Sequence, residues 1–241
     1  MQHSETLVML CFPHQESSFV RVDTRQGPMP RRGPSERFEG IDVELLERFA
    51  SHLGVDLEIQ TIEVPSYSAL IPGLLEGKAH LIASSFSITA ERLELVDFST
   101  PYHVTYRQII SRKGLEVGSL EELTGLRAAV VEGTNHERFL RDLGVRDEQL
   151  VHVAFTLDVY NAVNDGDADY ALVDHESVVR LLDEFENIEV AFRLEGEDRF
   201  GIAVRQGSDL LPVLNAWLEA MRAEGELDAL IDAELRSQGT N

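Results

Sequence analysis

The sequence predicts an α/β fold made of two sheet-and-helix units, and three observations carry that expectation. Short apolar runs alternate with amphipathic stretches along the chain. That alternation is completed once in the first half and again in the middle, in units of about 100 residues each. Glycines stand where helices must stop, at Gly54, Gly144 and Gly166, each suited to the left-handed residue that ends a helix. The chain has 241 residues, 43% of them hydrophobic, which is ample for a buried core.

Leu7 to Phe12 reads as the first strand, and Arg21 to Arg37, rich in Pro, Gly and Arg, as an exposed loop. A helix follows, with Asp42 as its expected N-cap and Val43, Leu46, Phe49, Ala50 and Leu53 on one face. Val55, Leu57 and Ile59 alternate with Asp56, Glu58 and Gln60, the pattern of a strand with one wet face. Ser66 to Glu76 reads as a second helix that Pro72 must kink or delay, and His80 to Ser84 as a short buried strand.

The middle of the chain repeats the grammar. Strands are expected at Arg127 to Val131, Val151 to Ala154 and Tyr170 to Val173, with helices at Asn135 to Leu143, at Asp158 to Asn164 and after Asp174. Ser119 and Glu122 have capping-box spacing. Phe200 to Val204 gives one more strand. Two closing helices are striped by Leu210, Leu211, Leu214, Trp217, Leu218 and Met221, and then by Leu227, Leu230, Ile231 and Leu235.

Charge narrows the partners. With 43 acidic against 21 basic residues the formal net charge is −22, so the surface repels phosphate backbones and anionic headgroups, which disfavours nucleic-acid and membrane-surface binding. Cys11 is the single cysteine, so no intrachain disulfide is possible. No run of 18 apolar residues occurs, and MQHSETLVML lacks the basic start and apolar stretch of a secretory signal.

Long blocks then become specific: FEGIDVELLERFASHLGV, YSALIPGLLEGKAHLIASSFSITAERLELVDFSTPY, VVEGTNHERF, AVNDGDADYALVDHE and FGIAVRQGSDLLPVLNAWLEAMRAEGELDALI. Together, from Leu7 to Leu235, they resemble the polar amino-acid-binding type of periplasmic (extracellular) solute-binding proteins, family 3. The resemblance implies a type II periplasmic binding protein fold, with each lobe a sheet flanked by helices. Lobe one would take 1–106 and 199–241 and lobe two 107–198, with crossings near Thr105 to Ser111 and Arg193 to Phe200 and a ligand cleft between the lobes. It also implies a small amino-acid ligand, an ABC transporter permease as partner, no cofactor, a periplasmic or extracellular location with the signal absent from this chain, and a monomer.

A free amino acid is a zwitterion, so a closed site must meet both charges or leave them unsolvated at a cost of several kcal/mol. Arg92, in the T-x-x-R of Thr89 to Arg92, has a planar fork suited to a carboxylate, and the resemblance gives it the ligand's α-carboxylate. Thr134 and Asn135, opening a helix after a strand, are placed to add donors. Asp174 is matched to the acid that takes the α-ammonium, helped by Ser85 and Ser87. Each has an ordinary alternative: Arg92 as a solvated arginine paired with Glu91 or Asp97, Asp174 and Thr134 as helix caps, Ser85 and Ser87 as the end of a strand. The side-chain pocket departs from the family pattern. The loop CFPHQESSF carries Glu16 near the position where an aromatic is common, keeps Phe19, and offers Phe12 and His14 in place of the missing ring, while Tyr67 holds the second aromatic position.

Enzymatic readings find less support. There is no H-x-x-x-H pair, nucleophile elbow, Walker lysine or dinucleotide fingerprint. Cyclohexadienyl dehydratases share the fold and a similar EGTN turn, and their chemistry needs a general acid, for which Glu132, Glu176 and His136 are the candidates. The last reading is a ligand-sensing domain of a larger receptor or of a murein transglycosylase, whose enzymatic part would lie outside this chain.

Overall fold

The computed structural model describes residues 6–12, 21–22, 38–61 and 66–237. Glu16, Phe19, His14 and most of the Arg21 to Arg37 segment lie outside them. In chain order the strands and helices begin with β1 (Thr6–Cys11), β2 (Arg21–Val22), β3 (Phe38–Glu39), α1 (Ile41–Leu53), β4 (Asp56–Thr61), α2 (Leu70–Leu75), β5 (Leu81–Ile82), α3 (Ala90–Leu93), β6 (Val96–Phe98) and β7 (His103–Thr105). They continue with β8 (Arg107–Arg112), α4 (Leu120–Leu123), β9 (Ala128–Val131), α5 (Asn135–Leu143), β10 (Leu150–Val153), α6 (Thr156–Asp165), β11 (Tyr170–Asp174) and α7 (His175–Leu181). The chain closes with β12 (Ile188–Arg193), β13 (Asp198–Phe200), β14 (Ala203–Arg205), α8 (Leu210–Ala223) and α9 (Glu226–Ser237).

These elements fall into two units. The first draws on Met1–Val64, Ala69–His103 and Arg199–Thr240, the second on Pro65–Ser68 and Val104–Asp198. Strands β7 and β13 form a two-stranded sheet.

In the first unit a five-stranded sheet runs β4-β1-β5-β14-β6, with β1 parallel to β4 and β5, and β14 antiparallel to β5 and β6. Met9, Cys11, Leu81 and Val204 from the sheet close a core with Leu46 and Phe49 of α1, Leu214 and Leu218 of α8, and Leu227 of α9. Gly54 adopts φ 71° and returns its N–H to the last carbonyls of α1, the left-handed stop that the sequence predicts. Asp42 departs from its expected role: Gly40 is the N-cap, and Asp42 lies inside α1, 0% exposed. Pro72 acts by delaying the helix. A 3-10 turn covers Tyr67–Ala69 and α2 starts at Leu70, so the proline falls in the first turn, where its missing N–H costs no helical bond. The strand expected over Phe200 to Val204 breaks at Gly201, where an added Cβ would stand 2.8 Å from the Ile88 side chain and the N–H donates to the Phe86 carbonyl. Arg21–Val22 is a strand paired with β3 rather than loop.

In the second unit the sheet runs β10-β9-β11-β8-β12, with β9 parallel to β10 and β11, and β8 antiparallel to β11 and β12. Its core joins Ile109, Ala128, Val130 and Leu172 to Leu123, Leu140 and Leu194. The Ser119–Glu122 capping box forms, with Glu122 accepting the Ser119 N–H at 3.2 Å.

Candidate functional site

In the first unit, chemistry gathers in the irregular segment after β5. A two-residue strand releases the chain at Ala83, and the next residues bend through contacts with distant parts of the unit. Ser84 Oγ accepts the Phe12 N–H at 3.1 Å. Ser85 takes a left-handed φ of 45°, a conformation that non-glycine residues adopt at a cost. Its N–H donates to Asp42 Oδ2 at 2.7 Å. Ser87 forms a bridge with Phe200, and Ile88 N–H reaches the Arg199 carbonyl at 2.8 Å.

Arg92 is fixed from three sides. Thr89 caps α3 and accepts the Arg92 backbone N–H at 3.3 Å, so the T-x-x-R spacing returns the arginine beside the cap. The guanidinium carbon stands 3.9 Å over the Phe86 ring, and Nη1 donates to the Ser87 carbonyl at 2.9 Å. The half-buried side chain is thus held in place before any ligand arrives. Phe12 is fully buried and Ser87 nearly so. Both contribute to this segment from within the packed unit.

Asp42 is a buried acidic group in the same unit. Burial pushes its carboxyl up from 3.8 to about 6, against the lowering effects of the Tyr102 hydroxyl, the Ser85 N–H and the His103 charge. Burial, reinforced by the Asp42 charge, also pushes the Cys11 thiol far up, so this cysteine is neutral and inert at ordinary pH.

In the second unit, Gly133 (φ 77°) and Thr134 turn the chain from β9 into α5. A Cβ on Gly133 would lie 2.6 Å from the Ser68 nitrogen, and the Tyr67 N–H donates to the Glu132 carbonyl at 3.2 Å. The turn and the Ser66 to Ser68 segment, which carries the buried Tyr67, are therefore closely apposed. Thr134 does act as a cap, accepting the Glu137 N–H at 3.3 Å while its hydroxyl donates to the Val131 carbonyl.

Asp174 behaves differently. It occupies the N-cap position of α7 with extended backbone angles, but its side chain makes no cap hydrogen bond. Its Oδ1 lies instead 3.1 Å from His136 Nε2. Asn135 Nδ2 donates to Asp198 Oδ2 at 2.9 Å. One ligand atom from each of His136, Asp174 and Asp198 lies within 4.8 Å of the others, close enough that the three could hold a cation together. Sequence reasoning named His136 only as a candidate acid, and Asp198 not at all. Of the other two candidate acids, Glu132 is exposed, and Glu176 is buried with Oε2 accepting the Thr105 hydroxyl at 2.7 Å.

The predicted residues therefore form two groups: Ser85, Ser87 and Arg92, with Phe12 nearby, in the first unit, and Tyr67, Thr134, Asn135 and Asp174 in the second. The model of the bacterial extracellular solute-binding proteins, family 3, matches residues 20–234 of this sequence. The chain belongs to that family. It is 28% identical over 88% of its length to the glutamine-binding protein GlnH of an ABC transporter of Bacillus subtilis (strain 168), covering 77% of it. It is also 28% identical, over 88% of its length, to the L-cystine-binding protein TcyJ of Escherichia coli (strain K12), covering 79% of it.

A membrane-bound lytic murein transglycosylase F of Ectopseudomonas mendocina (strain ymp) is 31% identical over 88% of this chain, and only 44% of that protein is covered. The chain spans about half the length of the transglycosylases it matches. Among solved structures, a mutant of ArgBP from T. maritima superposes with a TM-score of 0.83 at 26% identity, over 96% of this chain and 95% of that one. AncCDT-1, an ancestral amino acid-binding protein and precursor of cyclohexadienyl dehydratase, gives 0.80 at 24% over 95% of each chain, a likeness of fold alone. The fold is that of the type II periplasmic binding proteins. No helix among the described residues is long and apolar enough to cross a membrane.

Proposed function

We propose that this chain binds a small amino-acid-like zwitterion and does not transform it. Arg92 takes the ligand's α-carboxylate and Asp174 its α-ammonium, with hydroxyls of Ser85, Ser87 and Thr134 completing the shell and Asn135, Tyr67 and Phe12 contributing around it. The observation that carries this reading is the state of the two charged groups. Arg92 is immobilised on Phe86 and Ser87 as a preorganised fork, and Asp174 makes no cap hydrogen bond to its own helix but turns its carboxylate toward His136. Because the two groups sit in separate units, a zwitterion that engages both favours the state in which both contacts are made, which is what turns binding into a signal.

The reading extends to the substrate-binding component of an ABC-type amino-acid transporter, a monomer acting in the periplasm or outside the cell, as the likeness to GlnH and TcyJ supports. A thermal-shift screen of the twenty common L-amino acids tests it. The true ligand stabilises the protein by about 2.7 kcal/mol at 100 times its dissociation constant. No response to any amino acid, beside a response to a sugar or a dicarboxylate, would discard the zwitterion.

A second reading is supported by the transglycosylase relatives, of which this chain matches about half: an amino-acid- or peptide-sensing domain of a longer protein. A neighbouring permease gene supports transport, and an in-frame lysozyme-like or kinase domain supports sensing.

A further inference from the structure

We infer that Asp42 is a positioning residue for the binding segment, and that its carboxylate holds Ser85 in the left-handed conformation the ligand needs. This inference rests on the zwitterion reading of Ser85, Ser87 and Arg92.

The geometry is specific. Asp42 is fully buried in the second position of α1, 43 residues away in sequence from the amide it binds. A carboxylate accepting a backbone N–H at 2.7 Å makes a charge-assisted bond, and that bond falls on the one non-glycine residue among those described that has a positive φ. The same segment carries Ser87, whose carbonyl orients Arg92. Ionised Asp42 therefore fixes the peptide from which both the serine donors and the guanidinium take their direction. A fully buried carboxylate is costly, and an apolar residue would serve the core of α1 better. Its presence is explained if the strained turn at Ser85 has to be maintained for another purpose.

The titratable groups set against Asp42 are Cys11 on β1, Tyr102 just before β7 and His103 on β7. Cys11 stays neutral, while Tyr102 and His103 favour the charged form of Asp42 without overcoming burial. With the carboxyl at about 6, roughly nine in ten molecules are neutral at pH 5 and nearly all are ionised at pH 7.5. If only the ionised form holds the segment correctly, apparent affinity falls about tenfold over that range.

The experiment measures affinity for each of the twenty L-amino acids by calorimetry at pH 5.0 and 7.5, for the wild type, Asp42→Asn and Arg92→Ala. It also follows the Ser85 amide by proton–nitrogen NMR across the same range. The wild type is expected to lose about tenfold in affinity at pH 5.0, and its Ser85 amide to titrate near pH 6. Asp42→Asn should melt higher than the wild type at pH 7.5 yet bind about tenfold more weakly, with a flatter pH profile. A residue that served only the fold would not move stability and affinity in opposite directions. Should Asp42→Asn fail to fold, the wild-type affinity and Ser85 titrations decide alone. Unchanged affinity in Asp42→Asn, or a Ser85 amide indifferent to pH, overturns the inference while an intolerant Arg92→Ala leaves the binding site standing. Absence of binding by the wild type at both pH values removes the zwitterion reading and this inference with it.

Discussion

Replacing Asp42 by Asn should stabilise the protein, and by an amount that depends on pH in a defined way. The native carboxyl is raised to about 6, chiefly by burial, from 3.8, so between those values the folded chain binds more protons than the unfolded one. Stability of the wild type therefore falls as pH rises from about 4 to 6 and levels off above. At pH 7.5 the cost of holding the ionised group is about 3 kcal/mol. Asn keeps the shape and carries no charge, so it escapes the cost of burying one. The variant should match the wild type near pH 3.5 and exceed it by up to about 3 kcal/mol at pH 7.5. Chemical denaturation monitored by circular dichroism at half-unit pH steps measures the difference. A gap independent of pH, or a wild type that gains stability over this window relative to the variant, would refute the reasoning that burial dominates at Asp42.

Arg92→Ala should abolish binding without unfolding the protein, since removing one partner of a desolvated charge pair costs about 3–5 kcal/mol, or 10²-fold and more in affinity; titration calorimetry beside a melting curve checks both halves. Gly133→Ala forces a side chain to φ 77° against the Ser68 nitrogen at 2.6 Å, so a loss of about 1–3 kcal/mol is expected by denaturation. Glu137 is held below its ordinary value: burial alone would raise it, but His152, the Gly133 N–H and Arg141 outweigh that effect. Its contribution is therefore present above the unfolded value of 4.5 and lost as pH falls through the lower native one. Glu137→Gln should cost about 1–2 kcal/mol at pH 7 and progressively less below pH 4.5, as paired denaturation curves would show.

Much of the fold was legible because its signals are local. Val55, Leu57 and Ile59 alternate with a wet face, and Gly54, Gly144 and Gly166 are left-handed stops. Asp42 shows where local signals mislead. An Asp just before an apolar stripe matches a cap, and only the approach of Ser85, 43 residues on, reveals a buried acceptor. The break in the strand at Gly201 likewise depends on Ile88, far away in sequence. In the site, Asp174 was legible as an acid ending a strand, but its partner His136 lies 38 residues away and Asp198 joins through Asn135 at a separation of 63. No spacing rule links such positions.

The central proposition is that the ligand is recognised through two opposite charges, one met by Arg92 and one by Asp174. The most direct measurement compares the amino acid that binds with its α-amide and its N-acetyl derivative by calorimetry. Each truncation should weaken binding by at least about 10²-fold, with Arg92→Ala indifferent to the amide and Asp174→Asn indifferent to acetylation. Equal affinity for all three compounds would contradict it.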